Sequence, residues 1–169
     1  MYIEVTPATA EQEPILANLL ELYAHDFSEF SDLELGPDGR FGYRDLCLYW
    51  SVPNRHPFLI QIDGRLAGLI LVKKGSAVSG RAMRTSGIWP SFFVAHGYRR
   101  RGIGAEMARK VWRRIPGRWE VRVMESNASA YLFWEHAVTK FTGKAAHSVR
   151  FEKDGKWWRM FTFGCDPEA

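Results

Sequence analysis

Three consecutive arginines, Arg99, Arg100 and Arg101, stand directly before Gly102-Ile103-Gly104, and an apolar stripe at helical spacing runs on from Ile103. A strand-like run ends at Val94, so residues 94–105 read as strand, turn and helix start. In chemical terms that is an anion site. A helix start leaves about four backbone N–H groups without partners and carries roughly half a positive charge. Glycine at 102 and 104 admits a ligand to those N–H groups, because no Cβ intervenes. Arginines beside them add forked donors that match phosphate. Four or five converging charge-assisted hydrogen bonds, each worth about 1.5–3 kcal/mol, hold a pyrophosphate firmly. A solvated basic turn before a helix is the alternative that spacing alone leaves open.

Two familiar phosphate loops do not fit these letters. A P-loop requires lysine and then serine or threonine after its last glycine, whereas Ala105-Glu106 follows Gly104. A dinucleotide-binding turn starting at Gly102 requires glycine or alanine at 107, where Met107 stands.

A second set of candidates opens the helical stretch 128–140. Residues Asn127, Tyr131 and Trp134 share one helix face and offer an amide, a phenol and an indole. Ala130 and Phe133 lie alongside; the small residue permits close approach of a neighbour, and Phe133 is expected in the core. Asn127 is also a good helix cap. Carboxylates gather elsewhere: Asp26, Glu29, Asp32, Glu34 and Asp38 occupy a segment without Lys or Arg, which suggests a site for something cationic. Cys47 and Cys165 are far apart and lack metal-type spacing, so no metal is expected and both read as reduced thiols.

The elements that must position these groups follow from periodicity. Residues 2–5 are short and β-prone, and Ile15, Leu16, Leu19, Leu20 and Tyr23 recur at helical spacing after Pro14. A short helix is expected around 43–50, stopped by Pro53 and Pro57. Asp63-Gly64 between two apolar runs marks a tight hairpin. Residues 76–85 read as a loop and 88–94 as a strand that Pro90 makes irregular. The stripe Ile103, Met107, Ala108, Val111, Trp112, Ile115 is helical, ended by Pro116-Gly117. Strands are expected at 119–124, 145–152 and 156–164, the last two joined at Asp154-Gly155. The result is an α/β (α+β) fold: a mixed, mostly antiparallel sheet of six to seven strands with about four helices.

The whole chain of 169 residues is one domain's worth, 46% hydrophobic and 25% charged, with seven tryptophans. Such a composition excludes disorder. No apolar run of about 18 residues predicts a membrane span, and the first residues have no secretory pattern, so a cytoplasmic location is expected. A net charge of +4, concentrated in residues 99–118, does not describe a general nucleic-acid surface.

Taken together, Val94-x-x-x-x-Arg99-x-x-Gly102-x-Gly104 resembles the V-x-P-x-x-[QR]-x-x-G-x-[GA] signature of the GNAT superfamily of acetyltransferases, with His96 in the place of proline. Asn127-x-x-Ala130-x-x-Phe133-Trp134 is similar to that family's second motif, N-x-x-A-x-x-F-Y. The resemblance covers roughly residues 64–143. It implies one GNAT-like domain over 1–169 whose fourth and fifth strands splay apart. It further implies that acetyl-CoA lies with its pyrophosphate on Arg99, Arg100, Arg101, Gly102, Ile103, Gly104 and Ala105. The pantetheine would pair with the backbone of Phe92, Phe93 and Val94, and Asn127, Ala130, Phe133 and Trp134 would complete the cofactor site. The implied activity is N-acetylation of a primary amine on a small molecule or peptide, by direct attack in a ternary complex. A CoA-binding relative without turnover is the alternative, and a homodimer is an assembly the fold allows.

The acid–base groups stay open. Trp134 stands where many members carry a tyrosine acid, and an indole N–H only donates a hydrogen bond. Tyr131 is the substitute acid, or else an exposed aromatic. Glu120, on the same strand face as Arg122, is the candidate base, or else part of an ion pair between neighbouring strands. Glu125 and His96 are further candidates. Backbone N–H groups near Val94 would face the thioester carbonyl. The acceptor would approach residues 27–56, whose carboxylates and aromatics Phe30, Phe41, Tyr43, Tyr49 and Trp50 suit a cationic amine.

Overall fold

The computed structural model describes residues 1–75 and 88–165, with the backbone alone for 88–90. The loop expected at 76–85 therefore lies outside the described residues. The described chain forms two compact units, one of residues 1–73 and 90–103, the other of residues 74–89 and 104–169.

In the first unit, β1 (Ile3–Pro7), β2 (Arg55–Ile62) and β3 (Arg65–Lys74) pair antiparallel in that order, and β4 (Ile88–Val94) lies beside β3. Asp63 and Gly64 adopt φ of 48° and 76°, the left-handed pair that a two-residue hairpin turn between β2 and β3 requires. Helix α1 (Glu13–Ser28) carries proline in its first turn, where a missing N–H costs nothing. Its stripe Leu16, Leu19 and Leu20 packs with Leu59, Leu69, Leu71, Tyr49 and Phe93 into an apolar core.

The short helix comes later and smaller than expected. α2 is Leu48–Ser51, and the residues before it are turns. Upstream of it, the Glu21 carboxylate accepts the backbone N–H of Phe41 at 2.7 Å and of Gly42 at 2.9 Å, and Gly42 has φ of 70°.

The second unit contains α3 from Gly104 onward (Ile103–Arg114), β5 (Gly117–Met124), α4 (Ala128–Thr142), β6 (Ser148–Lys153) and β7 (Lys156–Cys165). β7 runs antiparallel between β5 and β6. The backbone of Ile88, which counts with this unit, stands in parallel register with Trp119, so the pairing is mixed. β6 starts three residues later than expected because the Ala146 N–H donates to Thr139 Oγ1 at 3.0 Å instead of to a strand. Trp112 of α3 sits amid Trp119, Trp134, Phe141 and Phe163, with ring centroids 4.8–6.5 Å apart, and this aromatic cluster is the unit's core. Among the described residues no helix is long and apolar enough to cross a membrane.

Candidate functional site

β4 delivers the chain to the arginine–glycine turn. Gly68 of β3 makes its position possible: a Cβ there would stand 2.2 Å from the Phe93 carbonyl oxygen. The Ala95 N–H donates to the Ala67 carbonyl at 2.9 Å, so the polar groups of 93 and 95 face β3. Alternation along a strand then turns the N–H and C=O of Val94 to the other edge. Arg99 Nε donates to that Val94 carbonyl at 2.6 Å, which fixes the end of the edge.

The Arg99 guanidinium is therefore turned inward. Besides Val94 it reaches His96 Nε2 at 3.0 Å and the carboxylate of Asp26, which His96 Nε2 also approaches at 3.3 Å. Burial works to raise the Asp26 pKa. The hydrogen bonds and charges of Arg99 and His96 outweigh it and hold the carboxyl below the ordinary range. His96 faces Asp26 rather than standing as an independent base. Arg99 thus engages Val94, His96 and Asp26 within the fold, while its side chain remains 36% exposed. Arg100, Arg101 and Gly102 are exposed, Gly104 and Ala105 are half-buried, and the Ile103 side chain is buried. Arg100 has φ of 60° and Gly102 of 75°. A left-handed arginine is uncommon, and backbone strain of this kind gathers where a turn must present its N–H groups.

In the second unit, Asn127 caps α4: its Oδ1 accepts the Ala130 N–H at 3.0 Å. Its amide NH2 is the part able to reach a ligand. The burial of the next two aromatics reverses the expectation. Trp134 is 7% exposed, whereas Phe133 is half-buried. Trp134 falls on the inward stripe with Ala137 and Val138, and its ring lies 6.2 Å from that of Trp112. Phe133, one residue back and roughly 100° around the helix, meets it edge-on at 4.8 Å. Ala130 is half-buried.

The acid–base candidates all have protein partners. Glu120 is 2% exposed, and its carboxylate accepts from Arg122 Nη2 at 2.8 Å. This pair runs along one strand, i to i+2. Tyr131 donates to Glu135 at 3.2 Å, lies 3.4 Å from Ser148 Oγ and packs on Phe161. Glu125 bonds Arg150 at 2.8 Å and Arg159 at 3.4 Å; the Arg150 hydrogen bond is the chief reason its pKa is lowered.

The acidic stretch behaves unevenly. Asp26 is committed to Arg99, while Glu29, Asp32, Glu34 and Asp38 are exposed. A cavity of about 240 Å³ in the first unit is lined by Glu13, Glu21, Asp38, Arg40, Tyr43 and Leu46. In the same unit Tyr43 and Tyr49, two of the aromatics suggested for the acceptor end, are coupled electrostatically with Tyr23. Tyr23 is pushed up to about 12 by burial, with Tyr43 adding to the shift and a hydrogen bond with Ser91 opposing it. Tyr49 is raised as well, again first by burial and then by Tyr43. Gly68 was legible in principle, since a lone glycine inside an apolar strand signals close backbone approach. Tyr23 lies too far from Tyr43 and Tyr49 in sequence for a spacing rule to join it to them.

Comparison with known proteins completes the picture. The acetyltransferase (GNAT) family model matches residues 16–138. No curated protein matches the sequence significantly. Among solved structures, a GNAT-family acetyltransferase from Streptococcus agalactiae 2603 is similar with a TM-score of 0.70 at 13% identity, over 96% of this chain and 95% of that one. The putative acetyltransferase yncA from Salmonella typhimurium, solved with its cofactor acetyl-CoA, has a TM-score of 0.64 at 14% identity, over 100% and 97%. Spermidine N-acetyltransferase from Vibrio cholerae, in complex with CoA and spermine, has 0.62 at 12%, over 96% and 95%. At such identities the likeness is one of fold. The family match runs through most of the sequence, including the turn and the start of α4, and the chain belongs to the GNAT acetyltransferase family.

Proposed function

We propose that the protein transfers the acetyl group of acetyl-CoA to a primary amine of a small molecule or peptide, by direct attack in a ternary complex. The observation that carries this reading is the turn from Arg99 to Ala105, where left-handed Arg100 and Gly102 lead into the start of α3. The exposed side chains of Arg100 and Arg101 and the helix-start N–H groups of Ile103, Gly104 and Ala105 would take the pyrophosphate. The backbone edge of Phe92 and Val94 would pair with the pantetheine, with Phe93 fixing the strand from the β3 side. The Asn127 amide would donate to the same arm; Ala130, Phe133 and Trp134 would shape its surroundings, Trp134 from within the core.

In the transfer, the neutral amine nitrogen attacks the thioester carbonyl carbon, a C–N bond forms and the C–S bond breaks. Nitrogen loses one proton and the CoA sulfur gains one, so the exchange balances. The Val94 N–H, on the edge away from β3, is the donor placed to stabilise negative charge on the carbonyl oxygen. In this reading Glu120 is the base, acting through water because Arg122 already holds it, and Tyr131 is the acid. The reading takes residues 1–169 as one domain, supported by a family match that spans both units, and places the protein in the cytoplasm.

The test mixes purified protein, acetyl-CoA and a panel of amines and follows free thiol. Amine-dependent thiol release supports the reading. The burial of an indole where an acid is customary favours one rival, a CoA-binding protein without turnover. Tight CoA binding by calorimetry with no thiol release across the panel would establish that rival.

A further inference from the structure

Among the described residues β6 pairs with β7 alone. Its outer side therefore presents a row of backbone N–H and C=O groups on which another strand can be laid. Charge along an edge normally keeps strands apart. In β6 the order of the charges does the opposite, because Arg150 and Glu152 flank Phe151 and share one face of the strand. We propose that the β6 edge joins two copies of this chain, paired antiparallel about a twofold axis at Phe151.

That axis sets Arg150 of each copy opposite Glu152 of the other, so the attractive pair is made twice, as a self-complementary contact requires. Neighbouring registers lose it. A slip of one residue places Arg150 against Lys153 in one direction and against Phe151 in the other, and in-register parallel pairing sets like charges together. Local charge balance favours the same arrangement. Arg150 and its register partner Arg159 share one carboxylate: Arg150 Nε donates to Glu125 at 2.8 Å and Arg159 Nη2 at 3.4 Å. Glu152 of a second copy would bring a second carboxylate to that pair of cations, reached through the remaining donors of the Arg150 fork. Glu152 is exposed and has no ion-pair partner among the described residues. The backbone suits either alternation: Phe151 exchanges two hydrogen bonds with its own copy, or Arg150 and Glu152 exchange them with each other.

The other face of the strand adds apolar contact. Phe151 and Trp158 are register partners whose rings stack, with centroids 6.4 Å apart and planes 20° from parallel. At the axis Phe151 meets its own copy, and the stack continues as a row of four rings, Trp158 and Phe151 of one chain followed by Phe151 and Trp158 of the other. Val149, which is 56% exposed, comes to lie beside Lys153 of the second copy, whose methylene stem covers it. Helix α4 packs on β5 and β7 and meets β6 at its start, where Tyr131 approaches Ser148, away from the Arg150–Glu152 end. The contact is one short strand from each copy, so the dimer should be a weak one that dilution dissociates.

Sedimentation velocity over a dilution series tests the contact. The wild type should pass from monomer to a species of twice the mass as concentration rises. Glu152→Arg changes an exposed residue, so it should keep the fold and raise the dissociation constant about ten- to a hundredfold, two attractive pairs becoming repulsive. Arg150→Glu should weaken the dimer likewise, while Glu125 keeps Arg159. Mixing the two variants restores the match at both pairs, and a heterodimer of near wild-type affinity is the expected result. A wild type that stays monomeric at every concentration overturns the proposal, as does a dimer unmoved by Glu152→Arg or a mixture of folded variants that stays monomeric. Should Arg150→Glu fail to fold, Phe151→Cys in a Cys47→Ser background reads the same register. Cα atoms about 4.5–5.5 Å apart at the axis are within reach of a disulfide. A crosslinked pair on oxidation supports the axis, and its absence overturns it.

Discussion

Asp26, near the C-terminal end of α1, is bonded directly to Arg99 at the head of the arginine–glycine turn, across 73 residues of sequence. A carboxylate near a helix C-terminus faces the negative end of the macrodipole, so the guanidinium stabilises it there. Arg99 passes the constraint on, since its Nε holds the carbonyl of Val94. The helix, the end of β4 and the turn are thereby tied through one side chain.

Asp26→Asn should weaken acetyl-CoA binding severalfold and cost about 1 kcal/mol of stability, the scale of a half-exposed ion pair. The pH dependence has a definite sign. The folded state holds the Asp26 carboxyl below its unfolded value of about 3.9, so its contribution is present above that pH. It is lost as pH falls through the lowered folded value. Urea titrations at pH 7 and at pH 3 should show the gap between wild type and Asp26→Asn closing at the lower pH; a gap of constant size would contradict the assignment.

Gly68→Ala places a Cβ 2.2 Å from the Phe93 carbonyl oxygen, a distance that backbone must yield to. The strands have to part at the segment assigned to the pantetheine. Loss of stability of about 1–3 kcal/mol is expected, with weaker CoA binding in the folded fraction. Denaturant midpoints and calorimetry measure the two effects separately, and wild-type values in both would show that β3 and β4 are not in such close contact.

Local rules made much of the fold readable and left the site half-readable, for physical reasons. Asp63-Gly64 and Asp154-Gly155 announced their hairpins because a two-residue turn demands positive φ, and all four residues have it. The α3 stripe was legible because one face is apolar and the other carries charge. The helix expected at 43–50 was legible only in its second half: Leu48–Ser51 is helical and 44–47 are turns. Arg99 shows a limit of local rules: its type suggested an anion, but only the fold brings Asp26 to it. The 133–134 pair was ambiguous on its face, since neighbouring aromatics on a helix start compete for one inward stripe. Trp112 settles the competition by providing Trp134 with an aromatic pocket.

Glu120→Gln would leave Arg122, whose side chain is 9% exposed, with a neutral partner for its charge. Breaking a buried pair from one side costs about 3–5 kcal/mol, so a large stability loss is expected by chemical denaturation. Turnover per folded molecule is the informative second number. A drop that recovers as pH rises identifies Glu120 as the base, because a more alkaline solution supplies neutral amine without it. Unchanged turnover confines the residue to the ion pair.

Trp134 should behave as a core residue first. Trp134→Phe keeps an aromatic ring against Trp112 and should lower turnover only modestly. Trp134→Ala opens a void in the cluster and should cost about 3–5 kcal/mol. A several-hundredfold loss of turnover in well-folded Trp134→Phe would show that the indole N–H has a chemical part after all.

Gly104→Val addresses the turn itself. Gly104 is the second residue of α3, where valine's helix propensity is no worse than glycine's, so the fold should persist. The added branched side chain would stand over the helix-start N–H groups and keep the phosphates away from them. Loss of one or two charge-assisted hydrogen bonds corresponds to CoA binding about ten- to a thousandfold weaker. Arg101→Gln is the companion: the loss of an exposed charge should have a smaller effect, one that shrinks as salt is raised. Calorimetry at low and high ionic strength distinguishes the two, since the Gly104→Val deficit is steric and persists in salt. Wild-type affinity in folded Gly104→Val would remove the diphosphate from this turn.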